Sequence, residues 1–231
     1  MDSQNIIWDV IIPIGDACRT TIILQKAKLR KKAFPLDWVV SFAKTTYLDL
    51  TTNFSYLLKK DKKQYSHYQQ FEKEEINVIL QNRINRLHQY LNSNLNIIFF
   101  YTTWSRIATR QTNLINKEDK EYLFKIYNYI NQLQFIKNKK FIITNINNTL
   151  EDIREVKDID LIDINLQDIN FDLNIDKTSL YQVNQYKNNL PKVETFITDV
   201  SVEKLLKLNL QFTNFSDGIQ DPNPYIFTKH W

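Results

Sequence analysis

The chain has 231 residues, 43% hydrophobic and 13% aromatic, enough apolar material for one folded domain with a sizeable core. Two glycines and one cysteine argue against glycine-rich phosphate loops, intramolecular disulfides and cysteine-based zinc clusters. A net charge of +4 does not call for nucleic acid, and no run approaches the roughly 20 apolar residues of a membrane helix.

The run Ile6 to Ile14, IIWDVIIPI, is nearly continuous in apolar residues and reads as a buried central strand. It ends at Gly15, followed by Asp16-Ala17-Cys18-Arg19 and a basic amphipathic helix over residues 17–31. Cys18 falls where that helix begins. Helix-end amides and the dipole favour a thiolate there, which presents a nucleophile at the carboxyl edge of a sheet. The plain alternative is a small buried residue. Asp16 opposes thiolate formation and Arg19 partly offsets it.

Residues 36–59 read as helical in two pieces, with Pro35 in the first turn. Asp37 lies between Leu36 and Trp38, in a neighbourhood that would exclude an unpaired carboxylate, so it must be paired or hydrogen-bonded. It can orient a histidine or cap a helix start. Trp38 is expected to be largely buried. Residues 60–72 form a polar loop containing His67. Residues 72–92 give the clearest helix, on which Arg83 and Arg86 share a face. That pair suits a carboxylate or phosphate, or an ion pair with Glu72, Glu74 or Glu75.

Asn96–Thr102 reads as a second core strand, Lys117–Ile136 as a helix and Lys140–Thr144 as a third strand. Asp160–Leu166 reads as a fourth strand and Val202–Leu208 as a short late helix. The expected fold class is therefore α/β: one domain over 1–231, built on an open, mostly parallel sheet with helices on both faces. The first three strands should be adjacent. The acidic stretch 151–176 alternates aliphatic and acidic residues and suggests a small β-rich extension.

Charge is uneven. Residues 1–70 hold eleven Lys/Arg against six Asp/Glu, and residues 151–176 hold two against nine. The basic clusters Lys26 to Lys32 and Lys59 to Lys63 suit solvated faces or an anionic partner. The aspartates lack EF-hand spacing and are read as surface, so no metal is expected. No basic segment precedes Ile6 and the first apolar run is short, so no signal peptide is read, and a cytoplasmic location is expected.

IPIGDAC, the helix end KLRKKAF and PLDWVVS together resemble the opening of an uncharacterised family described as papain-like cysteine peptidases. Gly15 and Cys18 match its Gly-x-x-Cys turn, Leu29-Arg30 its helix end, and Pro35, Asp37 and Trp38 its Pro-x-Asp-Trp motif. Leu36 stands where an aromatic is more usual. Arg83-Ile84-Asn85-Arg86-Leu87 followed by NIIFFYTT is similar to the family's arginine-rich helix leading into a strand. The family histidine is commonly followed by Asp, whereas Tyr68 follows His67. The resemblance covers roughly residues 7 to 105.

The resemblance implies a cysteine-dependent hydrolase, peptidase-like or acyl-transferring, with Cys18 as nucleophile, His67 as base and Asp37 as orienting carboxylate. His230 and His88 follow His67 as candidate bases, and Asp217 or Asp221 with His230 is a further pairing. The other class open at this point is an α/β transferase or binding module. It would hold an anionic ligand at the strand ends with Gly15, Arg83 and Arg86, leaving Cys18 non-catalytic. The expected partner is a peptide, acyl or anionic small-molecule substrate; neither cofactor nor membrane is implied, and nucleic acid ranks last.

Overall fold

The computed structural model describes residues 6–15, 18–39, 41–60, 68, 71–103, 117–147, 149–169 and 180–213, with side chains from 188 onward in the last helix. The first apolar run forms two short strands in line, β1 (Ile7–Trp8) and β2 (Val10–Pro13). Between them, the Asp9 N–H donates to the Asn96 carbonyl at 2.9 Å, so the main chain keeps contact with its neighbour. The other strands are β3 (Asn96–Tyr101), β4 (Asn138–Ile146), β5 (Ile159–Ile164) and β6 (Gln211–Phe212).

β2, β3, β4 and β5 form a four-stranded parallel sheet in that order, with Val10 opposite Ile97 and Phe99 opposite Phe141. β6 pairs in parallel with β1, on the side away from β3. The three strands expected to be adjacent are adjacent, and the acidic stretch supplies the edge strand β5 of this same sheet. Continuous β-branched and aromatic runs in β2, β3 and the middle of β4 are the reason, since both faces of a parallel sheet are covered, while the edge strand β5 alternates aliphatic and acidic residues.

The helices are α1 (Cys18–Lys26), α2 (Ala43–Thr51), α3 (Ser55–Lys59), α4 (Lys73–Leu91), α5 (Lys117–Asn131) and α6 (Leu180–Lys207). One face of the sheet, through Val10, Ile12, Ile97, Phe99 and Phe141, packs on α2, α4 and α5. The opposite face, through Ile11, Ile98, Phe100 and Ile142, packs on α1 and α6. Strands β2 to β5 step in one direction across the sheet. A single hand of crossover therefore puts α4 and α5 on the same face. The return from β5 to β6 steps the other way, and the same hand carries α6 over the opposite face.

Several boundaries differ from the sequence reading; the helix read over Lys117–Ile136, for one, ends at Asn131. The segment after Pro35 is a turn through Val39, not a helix start, and Trp38 has a left-handed φ of 67° that no helix accepts. α1 stops at Lys26 because Lys28 turns left-handed (φ 57°), and the N–H groups of Leu29 and Arg30 then converge on the Leu24 carbonyl. The short late helix is the end of α6, a 28-residue helix with Pro191 inside it.

Much of the basic cluster around α1 is paired within the fold, although Lys26 and Lys28 stay exposed. Lys26 pairs with Asp199 at 3.0 Å and Arg19 with Glu194 at 2.9 Å, both partners lying on α6. The Lys31 ammonium donates to the Thr213 carbonyl and lies over the Phe212 ring, while Lys32 is buried. These contacts stitch α1 and its exit to the C-terminal layer.

Candidate functional site at the carboxyl edge of the sheet

Neighbouring strands β2 and β3 send their chains to opposite faces: β2 leads to α1 on one side, β3 to α5 on the other. The carboxyl ends of the strands, where the chain leaves the sheet, are where open α/β sheets bind ligands. Gly15, Cys18, Thr102 and Thr103 stand at this edge.

Gly15 is buried at φ 120°, a conformation that favours glycine. A Cβ there would lie 2.9 Å from the Ser41 carbonyl oxygen and from Thr46 Oγ1. The glycine thus lets the chain leave β2 beneath the 41–46 segment. Its carbonyl accepts from Thr20 Oγ1, whose oxygen also lies 2.9 Å from Thr102 Oγ1. One strand along, Thr103 N–H donates to Thr144 Oγ1 at 3.0 Å, and Thr103 Oγ1 to the Thr144 carbonyl at 3.2 Å. These buried threonine hydroxyls close the strand ends where the ladder stops. Sequence reading passed over them, because threonine after an apolar run carries no signal of its own.

Cys18 is the first residue of α1 and is half-buried, packed beside the core that α2, α4 and α5 share with the sheet. Asp37 is fully buried. Its Oδ1 accepts from Thr21 Oγ1 at 3.1 Å; its Oδ2 accepts from Arg30 Nε and Nη2 at 3.1 and 2.7 Å and from the Phe34 N–H at 3.2 Å. Thr21 lies three residues after Cys18, on the same side of α1. Asp37 therefore caps a turn, not a helix, and Arg30 is the cation that its burial demanded.

Tyr68, also fully buried, donates to the Asp37 carbonyl at 3.3 Å and accepts from Arg83 Nη1 at 2.5 Å. Burial pushes its phenol up to about 12, against the pull of Arg83, so the hydroxyl keeps its proton. Arg83 is 1% exposed, and Arg86 Nη1 donates to the Ala33 carbonyl at 2.6 Å. Both guanidiniums are engaged in holding the 33–38 turn and Tyr68, rather than being displayed together as an anion grip.

His88 sits on α4, with Nε2 2.6 Å from Asn53 Oδ1 at the α2–α3 turn, among neighbours other than Cys18. His67, His230, Asp16, Asp217 and Asp221 lie outside the described residues. Among the described residues no group of three or more His, Cys, Asp or Glu could hold a metal ion, and no helix is long and apolar enough to cross a membrane. The chain matches no family model, no curated protein and no solved structure.

Among the described residues two further carboxylates, Asp49 and Asp119, are buried elsewhere. Asp49, at the end of α2, accepts the Leu57 N–H of α3 at 2.8 Å through Oδ1, while Oδ2 accepts no hydrogen bond of ordinary geometry among the described residues. Burial raises its carboxyl to about 6, opposed by the Leu57 N–H and Lys60. Between the ordinary value of 3.8 and about 6 the folded chain binds the proton more tightly than the unfolded chain. The resulting stability is fully present below pH ~4 and is lost as pH rises through ~6, a change of about 3 kcal/mol. Urea unfolding at about pH 4.5 and 7.5 should show that loss in the wild type and a flatter profile in Asp49→Asn. Equal slopes would remove the assignment.

Proposed function

We propose that the protein is a cysteine-dependent hydrolase or acyl transferase, with Cys18 as nucleophile and His67 as its base. The observation that carries this reading is the position of Cys18, a half-buried thiol opening a nine-residue helix at the edge where β2 and β3 diverge. In such chemistry the thiolate adds to an acyl carbonyl and the leaving group departs with a proton returned by the base. Water or a second acceptor then releases the thioester. The helix amides lower the cost of the thiolate before attack.

His67 precedes Tyr68, and Tyr68 is fixed against the Asp37 main chain, whose side chain is bonded to the first turn of α1. The resemblance points to His67 rather than His88, which bonds to Asn53. A reading in which Arg83 and Arg86 hold an anionic ligand is weakened, since both are engaged within the fold. The substrate class that fits is a peptide or acyl compound. A cytoplasmic setting suits a chain with one cysteine, whose thiol would there stay reduced.

The test is the iodoacetamide labelling rate of Cys18 against pH in the wild type and His67→Ala. The native thiol should label faster than a free thiol near neutral pH, and His67→Ala should slow it. An unreactive Cys18, or superimposable profiles for the two proteins, would remove the dyad.

A further inference from the structure

We infer that Asp37 is a positioning residue: its carboxylate, held by Arg30 and Phe34, ties the first turn of α1 through Thr21 to the segment that follows the helix, and so fixes the amide end at which Cys18 sits. This rests on the reading of Cys18 as nucleophile and replaces the role of orienting a histidine.

The geometry carries it in three steps. First, the carboxylate is occupied: two Arg30 nitrogens and the Phe34 N–H converge on Oδ2, and Thr21 Oγ1 takes Oδ1. A histidine N–H would have to compete with these donors inside a fully buried pocket. Second, those donors come from α1, from its exit and from the turn, so one ionised group joins three successive pieces of chain. The Arg30 charge beside it keeps the site near neutral, which limits any negative field reaching the thiol one turn away. Third, Thr21 is fully buried and three residues beyond Cys18, so its bond acts on the same side of the helix as the thiol. Loosening that turn would misalign the N–H groups on which thiolate stabilisation depends. Tyr68 and Arg86 hold the other side of the turn, through the carbonyls of Asp37 and Ala33.

The experiment follows Cys18 alkylation by iodoacetamide against pH in full-length wild type, Thr21→Val, Thr21→Ser and Asp37→Asn. Circular dichroism and melting confirm that each chain is folded. Thr21→Val keeps the shape and removes the hydroxyl. It should move the labelling midpoint to higher pH and slow labelling near pH 7 by about threefold. Thr21→Ser, which restores the donor, should return the wild-type profile. Asp37→Asn should shift in the direction of Thr21→Val; if it does not fold, the two Thr21 variants decide alone. A Thr21→Val profile that overlays the wild type overturns the inference, and a shift confined to Asp37→Asn would favour direct histidine orientation. A wild-type thiol with no acceleration at any pH ends the nucleophile reading instead, a failure visible before any variant is compared.

Discussion

Trp38→Ala should lower the unfolding free energy by about 3–5 kcal/mol, as expected when a large, fully enclosed side chain is removed. Trp38 is 1% exposed, within the core shared by the sheet with α2, α4 and α5. Its backbone adds a twist to the expectation. At φ 67° an L-residue carries a strain of ~1–2 kcal/mol that alanine does not relieve. Glycine would relieve it, offsetting the entropy glycine gains in the unfolded chain. Trp38→Gly should therefore be no less stable than Trp38→Ala, the reverse of the usual order. Urea unfolding of the three proteins measures both. A loss below about 1 kcal/mol for Trp38→Ala would mean that the indole does not fill this core.

Gly15→Ala should cost about 2–6 kcal/mol, from two sources of ~1–3 kcal/mol each: a disfavoured φ, and crowding of an already filled space. The added methyl would meet the Ser41 carbonyl oxygen and Thr46 Oγ1 at 2.9 Å and the Tyr101 ring at 3.3 Å. A carbonyl on a fixed turn yields less readily than the tip of a long side chain. Removing one obstacle should help: the double variant Gly15→Ala, Thr46→Ala should recover part of the loss, making the pair non-additive. Strict additivity in urea unfolding would place the cost in the backbone alone.

The strands were legible because IIWDVIIPI, NIIFFY and FIIT are continuous apolar runs, and only a sheet covered on both faces buries such runs. The helix read over 72–92 was legible from its apolar spacing, and the fold closes its start with the Glu72 N–H donating to Glu75 Oε2 at 2.8 Å. The 35–39 turn was hidden. Pro35 and Asp37 are what a helix start offers, and the left-handed Trp38 is imposed by its burial among distant elements. α6 was hidden too, since Pro191 reads as a stop and the partners of Val193 and Ile197 lie across the sheet.

The candidate site was legible in part. An aspartate between leucine and tryptophan must find a partner, and Arg30 was already marked as the helix end, though nothing joined the two. The Thr21 hydroxyl had no sequence signal at all. Arg83 and Arg86 were visible as a pair on one helix face. Their destinations, Tyr68 and the Ala33 carbonyl, depend on long-range packing that spacing cannot supply.

The pairing of β1 with β6 has a consequence for how the molecule comes into being. Thr213 reaches back to Asp9 across 204 positions of sequence, so the first strand waits for nearly the last described residues before that edge is filled. While the chain is being synthesised, Ile7 and Trp8 can associate with β3 and α1 but lack a neighbour on their outer side. Closing so long a loop carries a large entropic cost that only the finished α6 layer can repay. The amino-terminal edge is thus the natural last step of assembly, and the stretch of backbone most open to unwanted strand pairing until then.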